Sequence, residues 1–223
     1  MEESRWERSA ALGGVVFVVL DVVVAVLGGE PPAADASRSE VAGYFADKGS
    51  AIEAGLWLFG LAAMALIWWF GSLWRRMVRS EGGAARLAVV SLVGLALAGA
   101  LSLTSSSVSA AVSLRIDEVG DDLLVAHTLA VLLLAASGFG VATHLLATSV
   151  LGARTGTLPL WVVAVGVLSA LGFVASAVLG ATGTDDASSM VGVVGFGLWC
   201  VWILGVSFRM WSDTSVGAAT RAS

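Results

Sequence analysis

Cysteine, histidine and proline are nearly absent from this chain, and each scarcity closes off a class of function. The one cysteine, Cys200, cannot form an intrachain disulfide and reads as a small packing residue. The two histidines, His127 and His144, stand seventeen residues apart on one apolar stretch, roughly 25 Å along a helix. They therefore cannot share a metal or sandwich a haem, and no metal or cofactor is expected. No GxSxG, HExxH, CxxC or CaaX pattern occurs. The chain is accordingly not expected to be an enzyme. A GxxxxGK phosphate loop is also missing, as is any basic run with interleaved aromatics, and the net charge is -5. Nucleic acid is not an expected partner.

Charge itself is scarce. Only 13% of the residues are charged, roughly half of what a soluble domain carries, and mean hydropathy is +0.90. What fills the space is six long apolar stretches, at about 10–28, 51–74, 87–112, 122–151, 158–181 and 190–211. Each is long enough to cross a hydrocarbon core of ~30 Å at ~1.5 Å per residue. They use nearly the whole of the 223 residues. The expectation is an all-α, polytopic membrane protein: one six-helix transmembrane domain over 1–223, with a flexible tail over 212–223. The first stretch contains Asp21 and is longer than a signal-peptide core, so it is expected to be a retained helix.

The flanking charges choose an orientation. Nine of the twelve basic residues (Arg5, Arg8, Arg75, Arg76, Arg79, Arg86, Arg154, Arg209, Arg221) fall on one side of such a bundle. Only Arg38, Lys48 and Arg115 fall on the other, which also collects most of the acids. The positive-inside rule then puts both termini in the cytoplasm. Trp6, Trp68, Trp69, Trp74, Trp161 and Trp211 lie near the same ends, as an interfacial aromatic belt would. Arg75, Arg76 and Arg79 beside Trp74 read as orientation signals touching anionic lipid.

Between the first two stretches, Ser37-Arg38-Ser39-Glu40 fits a capping box, followed by Val41, Tyr44 and Phe45 at helical spacing. This predicts a short amphipathic external helix, ended by Gly49. Ser50-Ala51-Ile52-Glu53 fits a second box opening the next span, which would account for Glu53.

Small residues mark three helix faces: Gly14, Asp21, Ala25 and Gly28; Ser91, Gly94, Ala98, Ser102, Ser105, Ser109 and Ser113; and Gly166, Ser169, Gly172, Ser176 and Gly180. Such faces let helices approach closely, and their hydroxyls can bond across helices. They are expected to meet inside the bundle. Asp21 lies about 16 Å along its helix, near the bilayer midplane, where an aspartate costs at least ~2.5 kcal/mol unless protonated or paired. His127, on the fourth stretch, is its expected partner. The expected intramembrane polar site is thus Asp21, His127, Ser102, Ser105 and Ser109, with Glu53 at its outer mouth. Either it is an outward-facing polar cavity of a small transport or sensing protein handling a proton, cation or small solute, or the small-residue faces dock a second copy or another membrane protein. Membrane lipids are partners under both.

The wording of several junctions resembles a family of small six-helix membrane proteins frequent in actinobacteria and without an assigned function. The resemblance rests on SEVAGYFADKGSAIEAGLWLFGLAAMALIWWFGSLWRRM around Glu40–Arg79, on RSEGGAARLA at Arg79, and on RTGTLPLWVVAVG at Arg154. It implies the same six-helix layout and a bacterial plasma-membrane location. It implies no site residue.

Overall fold

A computed structural model describes the backbone of residues 2–181 and 185–219, and the side chains of 9–179 and 190–212. Six helices make the fold: α1 (Glu2–Gly28), α2 (Arg38–Glu81), α3 (Arg86–Leu114), α4 (Leu123–Thr155), α5 (Leu160–Ala181) and α6 (Asp185–Ala219). All six are long and apolar enough to cross a membrane. The chain is therefore a multi-pass α-helical membrane protein. Each helix packs on the next, α6 returns to α1, and α2 also touches α4 across the ring. The expected tail begins inside α6, and residues 220–223 lie outside the described ones.

The reason these segments stay helical is that hydrocarbon offers no partner to a bare backbone N–H or C=O. The outer surfaces follow from the same solvent. On α1, Leu12, Val15, Val16, Val19, Val22, Val23 and Val26 form one exposed apolar stripe, and Asp21 is turned inward. Inside, the ring is filled rather than hollow. Phe17, Trp69, Trp199, Trp202, Ile203 and Leu145 belong to one buried cluster. Trp69 and Trp202 meet edge-on at 6.1 Å, and Phe17, Phe173 and Phe196 surround Trp199 at 5.2, 5.8 and 6.5 Å. Trp69 is thus a core residue, 0% exposed, and not a member of an interfacial belt. Its indole N–H donates to Ser207 Oγ at 2.9 Å, which places it between α2 and α6. Trp68, Trp161 and Trp211 do face outward.

The separate helix expected before Gly49 is instead the first three turns of α2. The capping box at Ser37 is formed as read: Glu40 N–H donates to Ser37 Oγ, and Ser37 N–H to Glu40 Oε2 at 2.8 Å. The helix then runs unbroken through Gly49 for 44 residues. A Cβ on Gly49 would come within 2.8 Å of Ser113 Oγ at the end of α3, so the glycine is a contact notch and not a stop. The second box is not formed, because Ser50 lies in mid-helix. Glu53 accepts a hydrogen bond from Ser113 Oγ at 3.1 Å instead. At ~1.5 Å per residue α2 is about 66 Å long, twice the hydrocarbon thickness.

The small-residue faces do not converge on one centre; each serves one neighbour. On α3, Gly94 and Ala98 lie against Gly140 of α4. On α5, Gly172 lies against Gly195 of α6, and Ser169 Oγ donates to the Gly195 carbonyl at 2.8 Å. On α1, Gly14 lies against Trp69 and Ser207. The links are tight: after Gly82 and Gly83, both at positive φ, Glu81 turns back so that its carboxylate accepts from Leu87 N–H (2.8 Å) and Ala88 N–H (3.0 Å). A negative group at the start of α3 satisfies two amides the helix leaves open.

Candidate functional site

The six residues read from the sequence occupy three separate places. Asp21 lies on α1 where that helix packs on α2 and α6; it is 8% exposed and has no hydrogen bond or ion pair among the described residues. Ser105 donates to the Ala130 carbonyl at 2.7 Å, tying α3 to α4. Ser102 and Ser109 are half-buried on the same helix, and Glu53 is held by Ser113.

His127 does not meet Asp21. Its Nε2–H donates to the carbonyls of Pro32 (3.0 Å) and Ala33 (3.2 Å), and Thr128 Oγ1 donates to that of Ala34 at 2.9 Å. Pro31 and Pro32 cannot donate, and the carbonyls of this connection have no helical partners. The start of α4 supplies them. Phe45 of α2 closes over the imidazole edge-on at 6.2 Å, Tyr44 hydroxyl reaches the Gly28 carbonyl, and Arg38 pairs with Asp121 at 3.1 Å. His127 is therefore a clasp for the α1–α2 connection. His127→Ala is expected to raise proteolytic or amide-exchange rates across Gly29–Ser37 by about tenfold, the population factor of ~1.4 kcal/mol, while α5 and α6 stay protected. Equal exchange in the two proteins would remove the clasp.

The other histidine holds the interior. His144 is 1% exposed, on the opposite half of α4 from His127. Ser91 Oγ of α3 lies 2.8 Å from His144 Nδ1 and 3.2 Å from Thr148 Oγ1. Thr148 in turn donates to the His144 carbonyl at 2.8 Å. A threonine hydroxyl has one hydrogen, and that carbonyl takes it. The Ser91 hydroxyl thus lies between Thr148 and the His144 imidazole. Phe70 and Trp202 stand edge-on to the ring, both at 5.4 Å. Beside this cluster Ser149 Oγ and Trp202 Nε1 are buried without hydrogen-bond partners among the described residues, and both would crowd a Cβ on Gly166.

The signals for this cluster were present: Ser91 belongs to the serine stripe, and Thr148 follows His144 by one turn on the same face. What the linear sequence lacked was the rotation that turns this face inward. His144 stands against Trp202 of α6, and Asp21 lies on α1, which packs on α6 as well. Two clefts lie between the helices. One, of about 530 Å³, lies under the Glu30–Ala34 connection between α4, α5 and α6. The other, of about 440 Å³, opens between α2, α4 and α6 at the arginine-rich end, and its wall includes Thr148. Among the described residues no group of histidine, cysteine, aspartate and glutamate could hold a metal ion.

An inward-facing carboxyl and imidazole set in a ring of apolar helices define a multi-pass membrane protein with ionisable groups in its interior. No family model, curated protein or solved structure matches the chain, so the site is read from its own geometry.

Proposed function

We propose that the protein is a small transport or sensing protein of a bacterial plasma membrane, responding to protons through Asp21 and His144. The arginine-rich end and both termini would face the cytoplasm, as the charge asymmetry favours. The observation that carries the reading is the burial of two ionisable side chains, Asp21 and His144, with no charged partner on either among the described residues. Packing alone gives no reason to keep them, since each costs insertion energy that alanine or leucine would not. Relative to the arrangement expected from the sequence, His144 takes the place of His127.

The resident tryptophans make the test direct. Purified protein in detergent is expected to show a tryptophan-fluorescence transition on pH titration, because a charge gained at His144 would stand against Trp202. His144→Gln should remove it, and Asp21→Asn should shift or flatten it. In proteoliposomes with an internal pH dye, both variants are expected to lose most of any proton-linked response. A pH-independent signal in the wild type, or a transition that survives in both variants, would sink the reading. The aromatic fill of the ring favours a second one: a non-catalytic subunit or homo-oligomer docking through helix faces. That reading expects a defined oligomer or co-purifying membrane protein unaffected by Asp21→Asn.

A further inference from the structure

The cleft at the arginine-rich end is joined to the buried histidine by two hydroxyl groups. The His144 ring has Phe70 of α2 and Trp202 of α6 edge-on to it. Its hydrogen-bond partner among the described residues is Ser91 Oγ of α3, 2.8 Å from Nδ1. Ser91 is itself 0% exposed, and its oxygen lies 3.2 Å from Thr148 Oγ1. Thr148 borders the cleft. Its Oγ1 also lies 3.9 Å from the sulfur of Met77, another residue of the cleft wall, which puts the hydroxyl on that side of α4. Imidazole, serine and threonine thus form a continuous line of polar atoms from the core of the bundle to the cleft. Helix packing does not require this line. Thr148 satisfies its hydroxyl on the carbonyl one turn back, as Thr143 and Thr155 of the same helix do, so the contact with Ser91 is additional. The charged groups on the cleft wall are Arg76 and Arg79 of α2 and Arg209 of α6. α5 carries no ionisable residue, and α3 only Arg86 at its first position. Among the described residues of the wall there is no carboxylate to trap a proton before the hydroxyls.

We propose that Ser91 and Thr148 are the route by which protons pass between His144 and this cleft. The inference rests on the proton-responsive reading and adds to it the side from which the imidazole is loaded. In the tautomer with its hydrogen on Nε2, Nδ1 holds a lone pair and the Ser91 hydroxyl donates to it. The Thr148 hydroxyl turns from the His144 carbonyl to Ser91. A proton from hydronium or a buffer acid in the cleft bonds to Thr148 Oγ1, the Thr148 hydrogen passes to Ser91 Oγ, and the Ser91 hydrogen passes to Nδ1. Each hydroxyl ends with one hydrogen, the positive charge rests on the imidazole, and the aqueous acid is left as its conjugate base. The reverse sequence unloads the ring. Phe70 and Trp202, on the ring's other sides, present edges of apolar carbon that cannot carry a proton in this way.

The test is a stopped-flow pH jump on the full chain in mild detergent, read by tryptophan fluorescence and ended on the acid side of the equilibrium transition. The relaxation that belongs to His144 is the one missing in His144→Gln. Thr148→Val keeps the branched shape and removes the hydroxyl that bonds Ser91 and not the ring. It is expected to slow that relaxation about a hundredfold, the lower end of what a positioned proton-transfer group contributes, and to leave the equilibrium midpoint where the wild type has it. Thr148→Ser restores the hydroxyl and should recover the rate. Ser91→Ala should slow the relaxation and also move the midpoint, because Ser91 Oγ bonds the ring directly. Thr157→Val alters the same cleft at a hydroxyl bonded to Thr155, and should leave the rate unchanged. Equal rates in the wild type and Thr148→Val overturn the route. So does slowing that Thr148→Ser or Thr157→Val shares in full, or slowing that merely follows a shifted midpoint. If Thr148→Val does not fold, Ser91→Ala decides: a wild-type rate there overturns the route. A wild type without an equilibrium transition, or a relaxation that persists in His144→Gln, removes the proton-responsive reading of His144 and the route with it. A His144-dependent transition with unchanged Thr148→Val kinetics removes the route alone.

Discussion

Gly140→Leu is expected to abolish the folded bundle. At this position α3 and α4 touch backbone to backbone. A Cβ on Gly140 would lie 2.7 Å from both the Ala98 amide nitrogen and the Gly94 carbonyl oxygen, and one on Gly94 would lie 2.8 Å from the Gly140 carbonyl oxygen. Atoms of a helical backbone cannot step aside as a side-chain tip can, so relief requires parting the two helices. Overpacking a core ordinarily costs about 1–3 kcal/mol; here the expected loss exceeds that range because Ser91–His144 and Ser105–Ala130 ride on the same crossing. The measurement is the unfolding midpoint in detergent together with the elution profile. Gly99→Leu on α3 is the control, since nothing lies within 4 Å of its Cβ direction. It should behave as wild type. If Gly140→Leu elutes and unfolds like Gly99→Leu, the close crossing does not exist.

The second large effect belongs to Trp69. Hydrocarbon surrounds this protein, so burying an indole in it gains little by transfer, and its worth lies in packing contacts and its hydrogen bond. Trp69→Ala removes both and leaves a cavity between α1, α2 and α6, at an expected cost of about 3–5 kcal/mol. Trp69→Phe keeps most of the ring contact with Trp202 but leaves Ser207 Oγ without its donor, at an expected cost of about 1–3 kcal/mol. The order wild type, phenylalanine, alanine in unfolding midpoint is the prediction. Equal midpoints for the two variants would show that the indole N–H contributes nothing.

Both effects bear on what could be read before the fold was seen. Length and apolarity of the six segments depend on the solvent alone, and all six were legible. Rotation about each helix axis depends on neighbours, and this is where reading stopped. His127 and His144 sit seventeen residues apart on one helix, about 100° apart around its axis. Nothing in their local sequence says that one meets a proline-containing connection and the other two aromatic rings. Trp69 shows the same limit: its position near a helix end suggested the headgroup region, but its direction made it core, whereas Trp68, one residue earlier, faces outward. Gly49 is the converse case. A glycine in a helical pattern reads as an interruption, and only the arrival of Ser113 from α3 explains why it interrupts nothing. Asp21 is buried while Ala25 of the same small-residue face is exposed, and the helix packs on α2 and α6, not on the serines of α3.

The length of α2 has a mechanical consequence. Its first turns lie under the clasp at Tyr44 and Phe45, and its last turns form one wall of the arginine cleft. From Phe45 to Arg76 is thirty-one residues, about 47 Å of uninterrupted hydrogen-bonded rod. The rise per residue of such a rod is nearly fixed, so a sliding or pivoting of its upper turns cannot be absorbed along the way. It arrives at the guanidinium groups as a displacement of similar size. The two faces of the membrane are in this sense rigidly geared, and a substitution that loosens the clasp should be audible at the far cleft.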